Sequence, residues 1–171
     1  GGSTGRPKVI VSVAKAEVVD DDPLVKLLRL QKEDTFLVAG PLYHNVGFSF
    51  SAYTMMFGGH VVLMDKFVPE QALALIDRHK VSYLFLVPTM MHRIWRLGEE
   101  FRARFDLSSV RVMLHAASAC TAELKQHWID WLGAERIWEL YGGTEAQGIT
   151  LIGGDEWLTR RGTVGKMLPG F

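Results

Sequence analysis

A single cysteine, Cys120, stands in 171 residues, so no internal disulfide can form and a reducing compartment, the cytoplasm, is expected. Charge of one sign is also missing. The 19 Lys and Arg balance the 19 Asp and Glu, leaving no global field to gather nucleic acid or an acidic membrane surface. No apolar run approaches the length of a membrane span, and no signal peptide is visible. Repeats, low-complexity tracts and interdomain linkers are absent too. What remains is 48% hydrophobic, with 17 glycines and 7 methionines, which suits a mixed α/β enzyme body and excludes disorder.

The opening residues, Gly1-Gly2-Ser3-Thr4-Gly5-Arg6-Pro7-Lys8, cannot build a core. Glycines let successive N–H groups converge, Ser3 and Thr4 add hydroxyl donors, and Arg6 and Lys8 add positive charge, so the fitting ligand is a polyphosphate. The run is not the P-loop of strand-to-helix NTPases, in which Lys precedes Ser or Thr at a helix start; Pro7 drives Arg6 away from helical geometry.

From residue 35 onward the pattern is regular. Apolar runs at 35–39, 60–64, 83–87, 110–115 and 136–141 are continuous rather than alternating, as in strands covered on both faces. Helical spacing marks 69–79, 89–97 and 121–132, the last with Thr121 as N-cap. This alternation predicts a largely parallel, doubly wound α/β sheet flanked by helices. Residues 9–19 read as strand-like and 24–30 as a short helix, and Gly153-Gly154-Asp155 reads as a hairpin turn between 150–152 and 156–159. Arg102, Arg104 and Arg111 with Glu99 and Glu100 read as a solvated face.

Ligands of a parallel α/β sheet gather beyond the carboxyl ends of its strands. Three segments lie there: Pro41-Leu42-Tyr43-His44, His115-Ala116-Ala117-Ser118-Ala119 and Tyr141-Gly142-Gly143-Thr144-Glu145. In the third, Tyr141 offers a flat ring, the glycines allow a ligand close to the backbone, Thr144 supplies a hydroxyl and Glu145 a carboxylate suited to nucleotide-bound magnesium. The same five residues also fit a helix entry, with Thr144 as cap and Glu145 complementing the dipole. His44 and His115 could each simply bond a backbone carbonyl at a strand end, and the other four histidines lack metal-ligand spacing. Cys120 has no visible base partner, which argues against a nucleophile.

The phosphate loop, then Pro-Leu-Tyr-His, then Tyr-Gly-Gly-Thr-Glu, then Gly-Thr-Val-Gly-Lys-Met-Leu-Pro-Gly resembles the adenylate-forming superfamily of acyl-CoA synthetases, peptide-synthetase adenylation domains and luciferases. The resemblance runs in the family's order from residue 1 to residue 171, and the stretch 128–148 resembles bacterial fatty-acid and bile-acid CoA ligases. It implies a two-step reaction. A carboxylate attacks the α-phosphate of ATP, releasing pyrophosphate, and a thiol such as that of coenzyme A then takes the acyl group. By position, Ser3, Thr4, Gly5 and Lys8 would cradle the pyrophosphate end, Thr144 would contact the α-phosphate and Glu145 would hold Mg2+. Ala117, Ser118, Ala119, Tyr141 and Gly142 would bind adenine, while His44, Gly47, Phe48, His115 and Gly143 would line the acyl pocket; His44, Thr144 and Glu145 form the implied catalytic set. The sequence departs from the family pattern at Gly1, Val9 and Ala119, where the family often has Ser or Thr, Gly, and Pro.

The resemblance divides the chain into a phosphate loop and connecting segment at 1–34, a parallel α/β subdomain at 35–148 and the start of a β region at 149–171. Both ends look cut, so the chain is expected to be the central part of the large N-terminal domain. The family's ribose-binding aspartate and the C-terminal lid with its catalytic lysine would lie beyond Phe171, and the chain alone is expected to be inactive. No carboxylate stands near His44 to hold a substrate ammonium, which disfavours an amino acid. A subset of Phe48, Phe50, Tyr53, Met55, Met56 and Phe57 facing the cleft would suit a fatty, aryl or steroid-like acid. Two other readings stay open: an acyl-AMP ligase that loads a carrier protein, and a non-catalytic nucleotide-binding scaffold.

Overall fold

The computed structural model describes residue 25, residues 29–143 and residues 148–168. Five parallel strands, β1 (Thr35–Val38), β2 (His60–Leu63), β3 (Tyr83–Leu86), β4 (Val112–His115) and β5 (Ile137–Gly142), are joined by antiparallel β6 (Ile149–Gly153) and β7 (Lys166–Met167). The sheet order is β2-β1-β3-β4-β5-β6-β7. Helices α1 (Asn45–Met56), α2 (Pro69–His79), α3 (Pro88–Trp95) and α5 (Ala122–Leu132) connect the parallel strands. A single turn, α4 (Glu99–Arg102), lies between α3 and β4, and α6 (Gly154–Thr159) lies between β6 and β7. None of the described helices is long and apolar enough to cross a membrane.

Local chemistry sets the helix starts. Pro69 and Pro88 occupy the first helical positions of α2 and α3, where a missing N–H costs nothing. Thr121 caps α5 as expected, its hydroxyl accepting the Leu124 N–H at 3.2 Å. The five parallel strands and the helices α2, α3 and α5 fall within two residues of the expected spans.

The two faces of the sheet are unequal. Leu37, Leu84, Leu86 and Met113 pack against α2, α3 and α5, with Trp128 the largest side chain buried there. On the other face Phe36, Tyr83, Val112 and Leu114 meet α1 through Phe50, whose ring stacks on Tyr83 at 5.4 Å. The connection from β1 to β2 runs opposite to all later ones. A right-handed crossover then forces α1 onto the face that α2, α3 and α5 leave open.

Two expectations are corrected. The hairpin about Gly153-Gly154-Asp155 is absent: β6 ends at Gly153 and the chain turns directly into α6. Asp155 and Glu156 complement the helix dipole, and Trp157 enters the core beneath α5. A Cβ at Gly154 would fall 2.5 Å from the Ala134 carbonyl oxygen, so only glycine fits. The arginines are not all a solvated face either. Arg102 is buried with its guanidinium 3.7 Å from the Trp95 ring centre, and Arg111 pairs with buried Asp34.

Asp34 is a clamp at the amino ends of three strands. It accepts from the Gln31 N–H and the Ser82 hydroxyl, each at 2.7 Å, and from Arg111 of the β4 entry. Ser82 in turn accepts the Thr35 N–H at 3.0 Å. Asp34→Ala leaves Ser82 with only the long 3.5 Å bond to the Thr35 carbonyl and half-exposed Arg111 with only the Arg29 carbonyl at 3.3 Å, and is expected to cost about 2 kcal/mol. The check is an earlier midpoint in urea unfolding; an unchanged midpoint would show that the clamp adds nothing.

Candidate active site

The reversal of strand order opens a crevice between the carboxyl ends of β1 and β3, the switch point at which α/β sheets bind ligands. After β1 the chain turns sharply. The His44 N–H donates to the Pro41 carbonyl at 3.1 Å, and the His44 carbonyl accepts from Phe48 N–H at 3.0 Å, starting α1. This turn delivers the exposed His44 to the amino end of α1, where helix N–H groups lacking intrahelical partners converge. Gly47 permits the tight approach, since a Cβ there would sit 3.2 Å from the Pro41 carbonyl oxygen.

A cleft of about 370 Å³ occupies this crevice, within the ordinary range for small-molecule sites of roughly 300–1,000 Å³. Its floor is β1; one wall is the first turn of α1, and the other is formed by Phe85, Val87, Met90, Leu140 and Ile149. Ala116 and Ala117 enter from the end of β4, and Gly142 and Gly143 from the end of β5. No Asp, Glu, Lys or Arg is among the described residues that line it. Ala117 is held at φ +74°, a left-handed conformation costly for a residue with a Cβ.

His44, Gly47, Ala117, Gly142 and Gly143 therefore meet at one cleft. Ser118, Ala119 and Tyr141 are exposed at the same sheet edge without lining it, Tyr141 being 64% exposed. Phe48 and His115 do not belong to the cleft. Phe48 is 65% exposed on the outer side of α1, one position off the buried stripe of Gly47, Phe50, Ser51 and Thr54. His115 is fully buried, and strand alternation after Leu114 turns it to the α5 face. Of the aromatic and methionine set on α1, only Phe50 lines the cleft. Ser3, Thr4, Gly5, Lys8, Thr144 and Glu145 lie outside the described residues.

Behind the cleft, chemistry is quiet. Burial, helped by the Lys125 charge, pushes His115 down to about 3, so it is neutral at physiological pH, and neither ring nitrogen has a partner among the described residues. Burial pushes the Cys120 thiol up to about 11, which removes it as a nucleophile. Among the described residues no group of three His, Cys, Asp or Glu could hold a metal ion.

The profile of the AMP-binding enzymes matches residues 1–171. The chain belongs to the AMP-binding enzyme family. It is 27% identical over 171 residues to a probable CoA ligase of Humulus lupulus, covering 98% of this chain and 31% of that protein. It is 29% identical over 153 residues to a long-chain-fatty-acid–CoA ligase of Bacillus subtilis, covering 88% and 27%. Among solved structures, the amide bond synthetase McbA from Marinactinospora thermotolerans superposes with a TM-score of 0.72 at 26% identity, over 85% of this chain and 29% of that one. O-succinylbenzoate coenzyme A synthetase from Bacillus subtilis, in complex with AMP, gives 0.70 at 25% identity, again covering 85% and 29%. The chain thus spans about a third of the length of these relatives.

The strained and buried groups at and behind the cleft carry two expected outcomes. The unfolded His115 side chain takes up a proton below its ordinary pKa of 6.5, while the folded one stays neutral down to about 3. Stability should therefore fall with decreasing pH across that window by about 1.4 kcal/mol per unit. His115→Leu should flatten that slope in urea titrations at pH 6.5 and below; an unaltered slope would remove His115 as its source. Ala117→Gly should relieve the left-handed strain and raise stability by about 1 kcal/mol, read as a higher thermal midpoint.

Proposed function

We propose that the full-length protein activates an apolar carboxylic acid with ATP to an acyl-adenylate and passes the acyl group to the thiol of coenzyme A. The observation that carries this reading is the uncharged, largely apolar cleft at the switch point, opening between His44 and the carboxyl ends of β4 and β5. A substrate ammonium would find no counter-charge among its described residues, whereas a fatty, aryl or steroid-like acid would bury its body against Phe85, Met90, Leu140 and Ile149.

In this reading the acid's carboxylate oxygen attacks the α-phosphorus and the bond to pyrophosphate breaks. The thiolate then attacks the acyl carbon and AMP leaves. The amino end of α1 supplies oriented N–H donors where negative charge accumulates, and His44 adds a ring N–H at the same point. Tyr141 and the backbone of Ala117, Ser118, Ala119 and Gly142 would hold adenine. Ser3, Thr4, Gly5 and Lys8 would neutralise the departing phosphates, with Thr144 on the α-phosphate. Magnesium held by Glu145 would offset phosphate charge. The names of the relatives support a ligase, and one of them binds AMP.

The amide bond synthetase favours a second reading in which an amine rather than a thiol takes the acyl group. Pyrophosphate release by the full-length protein, measured across fatty, aryl and steroidal acids with CoA, an amine or no acceptor, separates the two. Release with one acid class, accelerated by CoA, is the expected outcome. Acceleration by amine alone would favour the amide reading. No acid-dependent release under any condition would overturn adenylation. The isolated 171-residue chain is expected to show no steady turnover, and sustained acyl-CoA formation by it would contradict that.

A further inference from the structure

Lys125 is a charged residue in an otherwise apolar interface. It projects from α5 between Leu124, Trp128, Ile129 and Leu132 toward the sheet, and its side chain is only 3% exposed. Its ammonium pairs with Glu139 of β5, itself 12% exposed, and lies 4.7 Å from the Trp157 ring centre. Glu139 faces His115 across the β4–β5 ladder. Cys120, at the end of the segment of residues 116–121, packs against the core that holds Trp128 and Trp157.

That location is where two walls meet. The segment holding Ala117, Ser118 and Ala119 runs through capping Thr121 straight into α5, the helix of Lys125. Glu139 lies two residues before Tyr141 on the strand that ends in Gly142. A buried ion pair gives little net stability compared with apolar residues of similar size, yet it has one permitted geometry. We propose that the Lys125–Glu139 pair is a positioning element of the nucleotide site, fixing the distance and register between the wall of Ala117 and the wall of Tyr141 and Gly142. The inference rests on the adenylation reading for its ligand, but on the geometry of α5 and β5 for its mechanism.

The test is made in the full-length protein with the double variant Lys125→Met/Glu139→Leu, which keeps volume and leaves no unpaired charge. The expected result is a thermal midpoint within roughly 4 °C of the parent. The KM for ATP in acid-dependent pyrophosphate release should rise on the order of tenfold, while the KM for the acid stays within about twofold. Lys125→Arg, which keeps the charge pair, should hold the KM for ATP near the parent value. A folded double variant with an unchanged KM for ATP overturns the proposal. A double variant that no longer folds overturns it equally, because the pair would then be a requirement of the core. A parent that releases no pyrophosphate with any acid speaks against the adenylation reading instead. The comparison then passes to the Kd for ATP by calorimetry, where the same tenfold difference decides.

Discussion

The right-handed crossover is the constraint on which everything else depends. Once β2 pairs on one side of β1 and β3 on the other, α1 and α2 must lie on opposite faces. Their connections diverge at the carboxyl ends of β1 and β3, and no side chain has to hold the crevice open. The turn at 41–44, the amino end of α1 and the cleft all follow from that single change of direction. The Asp34 clamp works at the opposite end of the same strands, tying β1 to the entries of β3 and β4. Registration is thus fixed at one end of the sheet and left open to ligand at the other.

Much of this was legible in the sequence because strands buried on both faces leave continuous apolar runs, and amphipathic helices leave a period. The places where legibility failed have physical reasons. Helix α1 is apolar on nearly every side, so its composition could not say which of Phe48, Phe50, Met55 and Met56 faces the sheet; only Phe50 does. Gly153-Gly154-Asp155 has the composition of a hairpin turn, but a six-residue helix follows instead and buries Trp157. The apolar walls of the cleft, Phe85, Val87, Met90 and Leu140, carry no polar signature. Their only available signal was position at strand ends already recognised.

Buried charge was the least legible element. Asp34 and Arg111 are 77 residues apart, and Lys125 and Glu139 are 14 apart, so no local spacing announces either pair. In a helix such as α5 a lysine among apolar residues reads as a snorkelling surface group, and only the fold shows that its head meets a carboxylate inside. Arg102 was misread for a related reason: its guanidinium is held by Trp95 and Trp131 rather than by an acid, a partnership that charge patterning does not register.

These pairings also explain how a site can be polar in function while its described lining is neutral. In the proposed reaction the cleft admits a carboxylate and a polyphosphate, and fixed anions in its lining would repel both. The nearby titratable groups are accordingly silenced: His115 stays neutral, Cys120 stays protonated, and Lys125 is matched by Glu139 behind the β4–β5 ladder. Among the described residues the cleft is lined by backbone, apolar side chains, Asn45, Ser49 and His44. In the proposed reaction the bonds made and broken belong to the acid, ATP and thiol, and the protein's contribution is position and oriented dipoles. Such a site tolerates little play between its walls. The buried Lys125–Glu139 pair adds one directional, charge-matched contact to the apolar side chains packed around it at the α5–β5 junction.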